Sequence, residues 1–159
     1  MPAEAPHDHS PSAAIAAAEQ LCATRGQNLT ELRRSVLRII CAAERPIGAY
    51  AILDQLRSEG RSGAPPTVYR TLDFLLEQGL VHRLASLNAF VACCDPAERH
   101  GGQFLICEAC GRVGELNSAR VEATIVEEAA AVRFAVSAQT VEVLGRCAAC
   151  LRLPAGPSA

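Results

Sequence analysis

Two Cys-x2-Cys pairs, Cys107-Glu-Ala-Cys110 and Cys147-Ala-Ala-Cys150, constrain the fold of this chain more than any other feature. A Cys-x2-Cys turn aims two thiolates at one point, and two such turns complete the tetrahedral sulfur shell that zinc prefers. Gly111, directly after the first pair, suits the tight turn of a zinc knuckle. The 37 positions from Cys110 to Cys147 exceed the spacing of a simple zinc ribbon, so a strand-helix-strand unit is predicted between the pairs. The metal then staples the ends of that unit together. Four protein ligands leave no open coordination position, which makes the role structural rather than catalytic. One pair alone would leave a redox dithiol or a disulfide open; two together favour zinc.

Eight cysteines are many for a 159-residue chain whose start, Met-Pro-Ala-Glu, carries no basic stretch ahead of an apolar one. No secretory signal is expected, and in a reducing cytosol such thiols bind metal or act in redox chemistry more often than they form disulfides. No uncharged apolar run approaches the roughly 18–20 residues of a membrane helix. A soluble, cytoplasmic protein with no membrane partner is therefore expected. Hydrophobic residues make up 50% of the chain, aromatics only 4%, and Trp is absent, so the core must come from Leu, Val, Ile and Ala. The net charge of −2 does not by itself suggest a nucleic-acid partner. All fifteen basic residues are Arg, nine of them within residues 1–84 against nine acids, and six against eight acids beyond. The first half is thus the better candidate for an anionic partner, because Arg binds phosphate or guanine bidentately.

Residues 1–12, with three Pro and two His (His7 and His9), read as a flexible tail. The Ala-rich stretch 13–25 reads as a helix closed by Gly26. Asn28-Leu29-Thr30 offers a cap, with Glu31 in the following first turn. Leu32, Val36, Ile39, Ile40 and Ala43 then repeat at helical spacing and stop before Pro46. A third helix over about 48–59 carries Ile52, Leu53 and Leu56 on one face. Pro66 suits the first turn of a fourth, whose stripe is Val68, Leu72, Leu75 and Leu76 and which Gly79 ends. Leu80–Leu84 and Ala89–Cys93 read as a hairpin. Helices followed by a hairpin outline a winged helix-turn-helix; a generic helical domain with a β-ribbon fits the pattern equally well. Beyond residue 95, strands at Phe104–Cys107, Val113–Leu116 and Thr140–Leu144 surround a helix at Ser118–Ala131. The fold class is therefore α+β in two domains, ending in a loose tail at 153–159.

Thr67, Tyr69, Arg70 and Asp73 lie off the leucine stripe of the fourth helix, toward its N-terminal end. A recognition helix needs that arrangement: its far face packs on the domain while its first turns offer Arg to guanine and Tyr or Thr to phosphate or a thymine methyl. A solvated helix face has the same pattern.

Pro65-Pro-Thr-Val-Tyr-Arg-Thr-Leu-Asp-Phe-Leu, followed by Gly79-Leu-Val and the paired Cys-x2-Cys, resembles the ferric uptake regulator family, most of all its zinc uptake regulator subgroup. The likeness runs from about 20 to 152 and includes Leu29-Thr30, Arg33, Val36-Leu37, Ala49-Tyr50 and Leu53. It implies a winged-helix DNA-binding domain over 13–84, a wing end and hinge at 85–95, and a dimerisation domain over 96–152. It further implies a homodimer that binds operator DNA when loaded with metal, represses metal-uptake genes, and acts on no small organic substrate. The helix carrying Thr67, Tyr69 and Arg70 is then the recognition helix.

The resemblance also implies a regulatory zinc site. A His, Cys, His, Glu set fills the corresponding positions in the subgroup, and His82, Cys93, His100 and Glu115 match its spacing. Two zinc ions per chain are then expected. One sulfur, two nitrogens and a carboxylate suit tetrahedral zinc, and the thiolate argues against a hard octahedral ion. Cys94 competes with Cys93, but neighbouring strand residues face opposite ways, and spacing favours Cys93. Cys22 and Cys41 fall in helix patterns as packing residues. The His-rich run of iron and peroxide sensors is missing, with Gly102 and Phe104 standing where they carry His. The alternative is a relative that senses another metal, or peroxide through Cys93 and Cys94. A zinc deaminase would need His-x-Glu with Pro-Cys-x2-Cys, which the sequence lacks, and no Gly-rich phosphate loop is present, so an enzyme is not expected.

Overall fold

A threonine starts the helix around which the first half is built. The computed structural model describes residues 10–61, 64–97 and 102–152, and the chain divides after Arg99 into two compact units. In the first, Thr30 caps helix α2 (Glu31–Ala42), its side chain accepting from the Arg33 N–H at 3.5 Å, with Glu31 in the dipole-favoured first turn. Around α2 pack α1 (Pro11–Thr24), α3 (Ala49–Ser58), α4 (Pro65–Glu77) and the hairpin β1 (Val81–Leu84) and β2 (Ala89–Ala92). The core is chiefly aliphatic, as composition requires, with Phe74 and Phe90 added: Val36, Ile52, Leu56 and Leu75 have no exposed surface, and Val68, Leu72 and Val81 are 1% exposed.

The α4 helix ends in a left-handed Gly79, φ +68°, a conformation that a side chain at Cβ disfavours. The Gly79 N–H then bonds Leu76 O and the Leu80 N–H bonds Leu75 O, both at 2.9 Å, closing the helix and turning the chain into β1. The strands pair antiparallel with Val81 opposite Ala92 and Leu84 opposite Ala89. Ile47, just ahead of α3, exchanges both backbone bonds with Phe90 and so pins the hairpin to the helices.

The second unit contains a three-stranded sheet in the order β4-β3-β5, from β3 (Gly102–Cys107), β4 (Val113–Glu115) and β5 (Thr140–Gly145). β4 is antiparallel to β3, and β5 is parallel to it after a crossover through α5 (Ala119–Ala131), which Ser118 caps. A final turn, α6 (Ala148–Leu151), holds Cys150. Buried apolar side chains are few: Phe104, Ile106, Cys107 and Cys150. No residue of α5 is buried.

Several expectations shift. The first helix begins at Pro11 rather than Ala13, since proline loses nothing at a first turn. β3 begins two residues earlier than expected because the pairing of Gly102 with Thr140 extends the ladder. The stretch 85–95, expected as wing end and hinge, contains β2, which is held by β1 and Ile47. Residues 1–9 of the expected leading tail, and all of 153–159, lie outside the described residues.

Leu56→Ala is expected to destabilise the first unit by about 2–5 kcal/mol, the cost of a cavity at a fully enclosed site. Urea denaturation followed by circular dichroism measures it, and a loss below about 1 kcal/mol would contradict this packing.

Candidate metal centres and nucleic-acid interface

The parallel register sets Cys107, the last residue of β3, opposite Gly145, the last of β5, so both Cys-x2-Cys turns emerge at one end of the sheet. In the first, Gly111 takes φ +72° and its N–H returns to Cys107 O at 2.8 Å. In the second, Cys147 caps α6 and Cys150 lies within it. The Glu108 N–H donates to Gly145 O at 2.8 Å, joining the two turns directly.

One sulfur from each of the four cysteines falls within 4.8 Å of the others, and Cys110 Sγ stands 3.8 Å from Cys147 Sγ. Four sulfurs at about 2.3 Å from a central zinc span tetrahedral edges of about 3.8 Å. The cluster therefore fits the metal. The Cys147 N–H donates to Cys107 Sγ at 3.3 Å. That bond, with one from the Cys110 N–H, draws the Cys107 thiol down to about 6. The Cys147 thiol is also lowered, chiefly by a backbone bond from Cys150. The Cys150 thiol is pushed up to about 12 by its bonds to the thiols of Cys147 and Cys110. Protons are thus unequally shared among the four sulfurs, and a bound metal displaces those that remain. By contrast, burial alone pushes Cys41 up to about 11, and burial is the main cause raising Cys22. Those two thiols pack within α2 and α1 and are poor nucleophiles.

His82 is the second residue of β1 and Cys93 the first after β2, both half-buried. His82 pairs with Val91, and the Cys93 N–H extends the ladder by donating to Leu80 O at 3.0 Å. Side-chain alternation then projects His82, Val91 and Cys93 from one face of the hairpin and Cys94 from the other. A ring nitrogen of His82 and Cys93 Sγ lie within 4.8 Å of each other. Glu115 is the last residue of β4, half-buried and paired with Phe104. His100 lies outside the described residues.

On α4, Val68, Thr71, Leu72, Phe74 and Leu75 face inward. Thr67, Tyr69 and Arg70 face solvent, with Tyr69 45% exposed. The Arg70 side chain has no ion pair or hydrogen bond among the described residues, so its five donors face outward. Tyr50, the second residue of α3, also lies off the Ile52-Leu53-Leu56 stripe and is 73% exposed.

Residues 24–144 match the ferric uptake regulator family. The zinc uptake regulation protein of Escherichia coli (strain K12) is 42% identical over 142 residues, which is 89% of this chain and 83% of that protein. Among solved structures, a zinc uptake regulator complexed with zinc and DNA superposes with a TM-score of 0.85 at 40% identity, covering 91% of this chain and 97% of that one. The holo form of XcZur gives 0.84 at 44% identity, covering 91% and 100%.

Cys107→Ser is expected to remove one zinc per chain and to unfold the second unit. A structural zinc contributes about 10–16 kcal/mol in small domains, more than so slight a core can replace. Zinc counting and circular dichroism read both effects; a folded second unit in the variant would show that the cluster is not structural.

Proposed function

The chain belongs to the ferric uptake regulator family, and from that membership we propose that it is a zinc-responsive transcriptional repressor. In this reading it binds operator DNA as a zinc-loaded homodimer and represses zinc-uptake genes. It is a regulator, not an enzyme. The observation that carries the reading is its likeness, over nine-tenths of its length, to a zinc uptake regulator bound to zinc and DNA.

The roles divide by unit. The first unit is the DNA-binding domain, in which Arg70 reads a base edge while Thr67 and Tyr69 contact phosphate or a thymine methyl. The second unit is the dimerisation domain. Its exposed apolar side chains support this, with Val132 75%, Phe134 66% and Leu144 52% exposed and an α5 that buries nothing of its own. Cys107, Cys110, Cys147 and Cys150 hold one structural zinc per chain. His82, Cys93, His100 and Glu115 hold the second, regulatory one. Among the described residues no helix is long and apolar enough to cross a membrane. The reading places the protein in the cytoplasm.

Bound zinc supplies the Lewis-acid attraction that draws thiolate, imidazole and carboxylate to one point. His82 and Cys93 belong to the first unit and Glu115 to the second, so one zinc held by all three would limit how freely the units turn. Two recognition helices enter successive major grooves only when held about 34 Å apart. Zinc held by His82, Cys93, His100 and Glu115 would favour that arrangement within an ensemble.

The test is operator binding by the purified protein across buffered free zinc, with bound zinc counted at each point. One zinc that persists throughout, and a second that fills in step with DNA binding, are expected. DNA binding that instead follows another metal or an oxidant would remove zinc as the signal. His82→Ala and Cys93→Ser are expected to remain folded dimers that no longer respond to zinc. Arg70→Ala is expected to lose about 1–3 kcal/mol of discrimination against altered operators; equal losses on every DNA sequence would demote Arg70 to a phosphate contact.

A further inference from the structure

Arg25 has no place in either proposed metal site or in the exposed surface of α4, yet it touches structure adjoining both. It is the C-cap of α1, and the left-handed Gly26 that follows, φ +67°, turns the chain aside and leaves the long side chain to reach away from its own helix. Arg25 Nη1 donates to Gln78 O at 2.6 Å, and Nη2 donates to Pro96 O at 3.4 Å. Gln78 is the C-cap of α4. Carbonyls at a helix C-terminus lack intrahelical donors, and the dipole there attracts a cation. Pro96 lies three residues beyond Cys93, on the chain leaving the wing. One guanidinium thus grips the end of the helix that carries Tyr69 and Arg70 and the segment that carries Cys93. Its planar fork can hold two carbonyls in fixed directions, which a lysine ammonium does less well.

We infer that Arg25 is a positioning residue for the regulatory zinc. It holds the segment 93–96 against the first unit so that Cys93 stays beside His82, and it couples that segment to the C-terminus of α4. The inference rests on reading His82 and Cys93 as zinc ligands. Without the fork the segment gains conformational freedom, and binding the metal has to restrict it again at an entropic cost. At saturating zinc the segment is ordered whichever residue stands at position 25. The change therefore belongs to zinc affinity and not to the DNA contacts.

The experiment compares full-length wild type, Arg25→Met and Arg25→Lys. Affinity for the second zinc is read by competition with a chromophoric chelator, and operator binding is read across buffered free zinc. For Arg25→Met, the free zinc at half-saturation is expected to rise roughly tenfold, the worth of one hydrogen bond to a charged group. Operator affinity at saturating zinc and the first bound zinc are expected to stay near wild type. Arg25→Lys, which keeps the charge without the fork, is expected to fall between. A wild-type zinc midpoint in Arg25→Met overturns the inference. So does a loss of operator binding that saturating zinc does not restore, because that marks a prop for α4 alone. If Arg25→Met does not fold, Arg25→Lys decides: a raised midpoint supports the inference and a wild-type one overturns it. Should operator binding by the wild type ignore zinc, the functional reading falls, while the inference stands or falls on the chelator competition.

Discussion

The convergence of four sulfurs at one end of the β3–β5 pair is the constraint on which the second unit depends. Among the described residues, its three strands with α5 and the short α6 bury few large side chains, Phe104 and Ile106 chief among them, and α5 adds no buried residue. So small a core is marginal without a further restraint. The parallel register puts the ends of β3 and β5 side by side, and each strand runs directly into a cysteine turn. Pairing and the proposed metal site would therefore support each other: the register delivers the thiols together, and a zinc held by them would keep the register from slipping. A disulfide between two of these cysteines would join the same ends but leave two sulfurs unused, whereas the 3.8 Å approach of Cys110 to Cys147 suits two ligands of one ion.

The first unit is built on the opposite economy. Its helices meet around α2 with a chiefly aliphatic core, so α4 has a firm backing and its outer face is spared any packing duty. Under the proposed function, that division leaves Thr67, Tyr69 and Arg70 to serve a partner rather than stability. The hairpin extends the same logic. Leu80, Val81 and Leu84 anchor it in the interior, while the diagonal pair His82 and Cys93 shares one face at a spacing fixed by the ladder. Under the proposed function, a rigid two-ligand half-site waits for the remaining ligands, whereas the cysteine cluster is complete within a single unit. A sensor requires that difference, because the structural ion must stay in place while the regulatory one comes and goes.

Much of this was legible in the sequence, and each part that was had a local cause. Helical spacing marked α2 and α4, left-handed glycines marked the ends of α1, α3 and α4, and Thr30 with Ser118 marked two helix starts. The cysteine site was readable because its chemistry is carried by two short, self-contained turns. What escaped depended on distant parts of the chain. The β3 strand gains Gly102 and Gln103 only through its pairing with β5 and with Leu116. The single turn α6 is too short for a periodic pattern to show. The bridge from Ile47 to Phe90, and the reach of Arg25 across 53 and 71 positions, leave no trace in local composition. The pairing of His82 with Cys93 lies between these extremes. Resemblance suggested the set, and the hairpin register supplies the physical reason that Cys93 rather than Cys94 shares a face with His82.

The placement of charge bears on the remaining tension, a near-neutral chain proposed to bind DNA. Arginine is the sole basic side chain here besides histidine, and the fold commits most of the first unit's arginines internally. Arg34 pairs with Glu19 and Glu31, Arg38 with Glu59, Arg57 with Asp54 and Arg61 with Glu31. Arg33 lies 3.4 Å over the Phe74 ring, Arg83 donates to Asn88, and Arg25 binds its two carbonyls. Exposed pairs of this kind contribute only about 0.2–1 kcal/mol each, so their main effect is on the field rather than on stability. They cancel charge on the surfaces that carry them. Among the described arginines of the first unit, Arg45 and Arg70 keep their guanidinium groups uncommitted, and Arg70 stands on the helix whose outer face is otherwise free. Net charge averages over this allocation and conceals it. Under the proposed function, a repressor that leaves its operator when metal is scarce gains from such restraint, because a weaker general attraction to phosphate leaves more of the binding energy under the control of geometry.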